Sequence, residues 1–154
     1  MARARPTLHG CERRTIPPRL HNVQRMRFCA GAWGTLRKLR SSELRYAPIL
    51  ANYMTVLNDQ AIRVWEKHIG RDEREYRMYS LGIDCSIEQP KTIAKERLSR
   101  IRTYTHRGED MVMSWHAKIL GHTGRMYFLV DTELKYDADP YVYIGGFTNH
   151  FETS

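Results

Sequence analysis

At 154 residues, with 42% hydrophobic and 27% charged side chains, the chain fits one globular domain able to bury a core rather than a low-complexity or disordered protein. No run approaches the roughly 18 apolar residues of a membrane-spanning helix, and no apolar stretch follows the leading arginines as a secretory signal requires. The formal charge of +8 is unevenly placed: residues 1–45 carry 11 Lys+Arg against 2 Asp+Glu, a net of +9, which leaves −1 for the remainder.

Residues 1–27 contain Pro6, Pro17, Pro18 and seven arginines with little apolar periodicity. Such a stretch cannot offset its own ordering entropy, so a disordered or loosely docked basic arm is expected. A transit peptide, or an extension upstream of a start at Met26, fits the same composition. The arm's cations, including Arg13, Arg14 and Arg19, suit a polyanion partner or a solubilising tail.

Residues 28–154 read as a single α+β domain: residues 28–107 mainly helical, residues 108–154 an antiparallel sheet of at least three strands, with the helices packed on one face. Trp33, Leu36 and Leu39 suggest a short helix or anchoring turn. The strongest periodicity spans 44–69, where Ile49, Leu50, Tyr53, Met54, Leu57, Ala61, Val64, Trp65 and His68 form a 3.6-residue stripe. Ser41 or Ser42 can cap that helix, Pro48 is tolerated only in its first turn, and Gly70 supplies a stop. Residues 71–79 extend the helical region, and 80–90 read as a connector. A second helix is expected over 91–104, with Ile93, Leu98 and Ile101 inward and Lys95, Arg97, Arg100 and Arg102 as basic flanks. His106, Arg107 and Gly108 end it.

The C-terminal part alternates with a period of two. Over 111–120, Met111, Met113, Trp115, Ala117 and Ile119 share a face. Gly121-His122-Thr123-Gly124 signals a hairpin into a strand over 125–131. A strand over 141–147, bent near Gly145-Gly146, completes the sheet. A two-residue turn between Gly121 and Gly124 would pair Trp115 with Val130, Ala117 with Phe128 and Ile119 with Met126. It leaves Ser114, His116, Lys118, Arg125 and Tyr127 on the opposite face, with Tyr141 and Tyr143 able to join them.

Cations beside aromatic rings suit unpaired RNA, the cations meeting phosphates and the rings stacking on bases. The same groups support metal-independent cleavage: His116 or His150 as base or acid, Tyr127 bonding the reacting groups, Lys118 and Arg125 holding the phosphate. Arg97, Arg100 and Tyr143, with the arm, would extend the nucleic-acid surface. Asp131-x-Glu133-x-Lys135 contains the ExK of metal-dependent nucleases, but at a strand end, where charges are ordinary. Cys11, Cys29 and Cys85 form no CxxC or Cys/His cluster, so they read as free thiols in a reducing, cytoplasmic compartment without zinc. No Walker A loop, GxGxxG or GxSxG occurs, and no cofactor is expected.

The run from Gly124 to Val130, a linker, and the run from Tyr143 to His150 resemble the C-terminal half of RelE/HigB-type toxins. Those proteins share an arginine-led strand, a turn, an apolar strand ending in Gly-Phe, and helices ahead of an antiparallel sheet. The resemblance implies an endoribonuclease acting on mRNA, often on the ribosome, with a protein antitoxin as partner. Asn149-His150 stands where that family usually carries two basic residues. The alternatives are a non-enzymatic nucleic-acid-binding protein using the arm, and a phage or mobile-element accessory factor whose helical stripe meets a partner.

Overall fold

The computed structural model describes residues 24–39, 43–119 and 124–149. Strand β1 (Met26–Phe28) leads into a 3-10 helix (Trp33–Lys38), α1 (Glu43–Val64), α2 (Arg71–Ser80) and β2 (Cys85–Ile87). Then come α3 (Pro90–Ile93), α4 (Glu96–Arg102), β3 (Thr103–His106), β4 (Glu109–Val112), β5 (Trp115–Ile119), β6 (Gly124–Asp131) and β7 (Tyr141–Asn149). The class is α+β, but the main sheet is mixed rather than antiparallel. Its order is β1-β7-β6-β5-β2, β1 runs parallel to β7, and β3 and β4 form a separate two-stranded sheet. No helix among the described residues is long and apolar enough to cross a membrane.

The span expected as a basic arm ends in described, ordered residues. Met26 and Arg27 are strand residues, fixed because Val142 N–H donates to Arg25 O and Cys29 N–H donates to Ile144 O. Residues 1–23, Ser41, Ser42 and the hairpin tip at 121–123 lie outside the described residues. Helix α1 buries Tyr46, Leu50, Tyr53, Leu57, Ala61 and Val64, the stripe read from the spacing. It ends at Val64, ahead of Gly70, which is extended (φ −74°, ψ 169°) and begins α2. His68 is exposed, outside the stripe. Pro48 lies beyond the first turn and costs one helical hydrogen bond on an exposed side.

Two misread segments decide the architecture. The connector 80–90 contains β2, whose Cys85, Ser86 and Ile87 pair with Ala117, His116 and Trp115. The expected helix over 91–104 breaks at Lys95, which is extended (φ −74°, ψ 118°), and stops at Arg102. Thr103 then starts a hairpin that turns at Arg107 and Gly108, both with positive φ (51° and 81°). That is the conformation of a tight two-residue hairpin turn, carried here by Arg-Gly instead of the usual Asn-Gly. Met111 and Met113 therefore pack in a second cluster with Cys29, Tyr127 and Tyr143. Trp115, Ala117 and Ile119 join the α1 core with Met126, Phe128 and Ile144.

The β5–β6 register pairs Trp115 with Phe128, Ala117 with Met126, Lys118 with Arg125, and Ile119 with Gly124. It is displaced by two residues from the expected pairing (Phe128 replaces Val130), so residues 120–123 form the connection. A shift of two preserves which face each side chain occupies. Within β5 and β6 the two faces are therefore as read, although every cross-strand partner differs; Met111 and Met113, expected on the face of Trp115, lie in the other cluster.

The bend at Gly145-Gly146 is a bulge: Tyr127 faces Gly146 and Phe128 faces Ile144, leaving Gly145 unpaired. Tyr104, from β3, lies against both glycines. A Cβ on Gly145 would sit 2.5 Å from Tyr104 Cδ2 and 2.8 Å from Met113 Cγ; one on Gly146 would sit 2.8 Å from Tyr104 Cε1 and from Thr35 Oγ1. Small residues here let the hairpin close over the sheet. Gly145→Ala should destabilise the protein by about 2 kcal/mol through overpacking, read as a lower midpoint in urea unfolding. An unchanged midpoint would mean that Tyr104 does not seat there.

Candidate functional site

The face expected to be open is covered. The β3–β4 hairpin and the end of α4 lie over it: Tyr127 and Tyr143 are fully buried, and His116 is 5% exposed. Tyr143 does not offer a ring to a base. Its hydroxyl donates to Asp137 Oδ2 at 3.2 Å, and its ring meets those of His106, Tyr136 and Tyr141. Burial and the neighbouring Asp137 carboxylate push its phenol up, so it stays neutral.

Beneath this cover the structure assembles a polar cluster around a residue that sequence reasoning passed over, Glu88. Its Oε1 lies 2.8 Å from Arg102 Nη2, 2.9 Å from His116 Nδ1 and 3.6 Å from Arg125 Nη1. Glu88 is 8% exposed and Arg102 only 1%. Arg102 also donates from Nη1 to Leu98 O, and its guanidinium lies 5.3 Å from the Tyr127 ring centroid. On the other side of the imidazole, His116 Nε2 is 3.2 Å from Ser86 Oγ. Burial pushes the Glu88 carboxyl up, but hydrogen bonds and charge from His116 and Arg102 outweigh it and bring it down to about 2.

Strand alternation explains the grouping. Cys85 and Ile87 point into the α1 core, which sends Ser86 to the opposite face, opposite His116 on β5. Glu88, one step on, is fixed by its N–H donating to Ser114 O. Two signals were available in the sequence. Ser86 and Glu88 alternate with Cys85 and Ile87, and Arg102 follows Leu98 by four residues, placing it on the inward side of its helix. A connector reading hid the first, and an assumption that arginines face solvent hid the second.

Of the expected catalytic set, His116, Arg125 and Tyr127 meet in or beside this cluster. Lys118 lies one rung away, paired with Asp84 at 3.0 Å, and His150 lies outside the described residues, as do Arg13, Arg14 and Arg19. Tyr127 is an internal member, its hydroxyl accepting from Thr148 Oγ1 at 3.4 Å. Arg125 is 16% exposed. Arg97 and Arg100 are exposed on α4, Arg100 paired with Glu96. Asp131, of the ExK run, is buried and accepts backbone N–H bonds from Glu133 and Tyr136, a loop-capping task. No group of three or more His, Cys, Asp or Glu among the described residues can hold a metal ion. Asp84 and Lys118 also line a cleft of about 450 Å³ with Pro48, Ile49, Asn52, Tyr53 and Gly82.

No family model, curated protein or solved structure matches the chain.

Truncating Glu88 leaves Arg102 buried without a counter-charge. Glu88→Ala should cost about 3 kcal/mol or more, measured by chemical denaturation. Because the Glu88 carboxyl is held near 2, below its ordinary 4.5, its contribution is complete above pH 4.5 and is lost as pH falls toward 2. The stability difference between wild type and Glu88→Gln should therefore shrink across that window; a constant difference would refute the assignment.

Proposed function

We propose that the chain is a nucleic-acid-binding protein whose described contact surface is the α3–α4 segment. One observation carries this reading. From Gln89 to Ile101 every residue is exposed or half-buried, and the segment holds Lys91, Lys95, Arg97 and Arg100 against the single carboxylate of Glu96, a net of +3. A helical segment that buries so little and carries such a charge suits a polyanion. The basic arm supplies further cations to the same partner. The RelE/HigB resemblance gives the target, within this proposal, as mRNA on the ribosome and an antitoxin as protein partner. The buried thiols of Cys29 and Cys85 are compatible with a cytoplasmic location.

Binding is preferred to cleavage because His116 is only 5% exposed, with Nε2 bonded to Ser86, and Tyr127 is internal. A 2′-hydroxyl has no route to them in this conformation.

The test is a fluorescence-anisotropy titration of a single-stranded RNA at several salt concentrations. Replacing Lys91, Lys95, Arg97 and Arg100 by alanine should weaken binding and flatten the plot of log affinity against log salt by up to about 3, at roughly 0.7 per lost phosphate contact. Unchanged affinity and slope would remove α3–α4 from the interface. RNA cleavage abolished by His116→Ala and Arg125→Ala would instead favour the ribonuclease.

A further inference from the structure

We infer that Trp33 is a base-stacking residue that takes an unpaired base of single-stranded RNA, an inference that rests on the nucleic-acid reading above. Trp33 opens the 3-10 helix and is 52% exposed, whereas the other two tryptophans, Trp65 and Trp115, are buried. Leaving so large an apolar ring half in water forgoes the stabilisation that a buried indole supplies. The ring is nonetheless supported. Phe28 of β1 lies 4.8 Å from it at an interplanar angle of 31°, and Phe147 of β7 lies 6.3 Å away at 33°. Such tilted contacts hold the indole from the protein side. The backbone on either side of it is open: a Cβ on Gly31 would meet nothing within 4 Å, and one on Gly34 only the tip of Arg37 at 4.0 Å. A supported ring that stays half exposed is a platform for a nucleobase, and every base offers it a π-face.

Charge selects the occupant. Residues 25–40 carry Arg25, Arg27, Arg37, Lys38 and Arg40 and no Asp or Glu. Arg37 is exposed and folds back beside the ring's neighbour, its Nε donating to Gly34 O at 3.0 Å. It forms no ion pair among the described residues, so its guanidinium keeps donors for a phosphate. Cation and π-face together fit a nucleotide, whose phosphate and base they meet separately. The Trp33 turn is also joined to the α3–α4 surface. Ala30 N–H donates to Thr105 O at 2.9 Å on β3, the strand that follows α4 directly. Thr35 of the 3-10 helix and Tyr104 of β3 both close on Gly146. The two cationic segments are therefore neighbours through β3, and a strand bound at α4 extends along it to Trp33.

The experiment titrates the full chain with a labelled single-stranded RNA and with an RNA duplex of equal length, reading anisotropy and tryptophan fluorescence. Trp33→Ala should weaken single-strand binding about tenfold. It should leave the salt slope unchanged, because a stacked base releases no counterion, and leave duplex binding unchanged, because paired bases are already stacked. Trp33→Phe, which keeps a ring, should retain most of the affinity. Since Trp65 and Trp115 are buried, RNA should quench the exposed indole of the wild type, and the quenching should vanish in Trp33→Phe. Circular dichroism checks that each variant is folded; were Trp33→Ala not to fold, Trp33→Phe and the quenching decide. Wild-type affinity in folded Trp33→Ala, alongside weaker binding by the α3–α4 alanine variant, overturns the stacking site and leaves the nucleic-acid reading standing. Equal losses on single strand and duplex, or no quenching in the wild type, overturn it as well. A wild type that binds no RNA at any salt concentration overturns both.

Discussion

The carboxylate of Glu88 is the constraint on which much of the molecule turns. It stands just beyond β2 and draws on a side chain from α4, another from β5 and a third from β6. Desolvating a carboxylate and a guanidinium costs several kcal/mol per ion, repaid only when geometry is good and the remaining polar atoms are served. Arg102 meets much of that condition: it reaches both Glu88 and the carbonyl of Leu98. Glu88 and Arg102 bracket α3 and α4, so one ion pair joins the two ends of that excursion. Met113 N–H donates to Arg102 O, which sets where β4 leaves the small sheet for the large one.

The sheet is covered on its two faces by different means. Helix α1 buries one with a conventional apolar stripe. The other is closed by the β3–β4 hairpin, whose Tyr104 ring lies on the Gly145-Gly146 bulge, while Thr35 Oγ1 accepts from Phe147 N–H and donates to Ala32 O. Backbone groups near the bulge are thus met by a side chain of the 3-10 helix, and the absence of Cβ atoms lets an aromatic ring approach the backbone. Polar residues on this face meet one another: Ser86 hydrogen-bonds with His116, Thr148 donates to Tyr127, and the Glu88 carboxylate stands 2.9 Å from the His116 ring and 2.8 Å from the Arg102 guanidinium.

How far the sequence could be read follows from which interactions are local. The α1 stripe and the division of β5 and β6 into two faces are periodic signals, and they hold in the structure. Cross-strand partners depended on a guess about loop length and were displaced by two residues, the one slip that period-two alternation cannot detect. The parallel pairing of β1 with β7 had no signal, since Met26–Phe28 is three residues long and its partner is the last strand. The hairpin turn at Arg107-Gly108 was equally hidden, because a non-glycine residue at φ 51° is uncommon and arginine does not announce it. Missing that turn meant missing the cover, and hence reading an internal face as an open one.

The exposed helices and the buried cluster cannot be considered apart. Across α3 and α4 only Arg102 is fully buried, so little apolar burial holds these helices to the body. Their attachment rests on the Arg102–Glu88 pair, on Leu98 and Ile101 as half-buried contacts, and on the hydrogen bond from Met113. The carboxylate that anchors the cationic segment is also the one that orients His116. A force that lifts α4 would remove Arg102 from Glu88 and leave the carboxylate with His116 and Arg125, altering the charge felt by the imidazole. Any ligand that binds α4 differently in its seated and lifted positions must therefore shift the His116 environment, and by linkage any change at His116 must return to α4 with equal free energy. Glu88 is thus shared between the seat of α4 and the surroundings of His116, so a change in one is felt in the other.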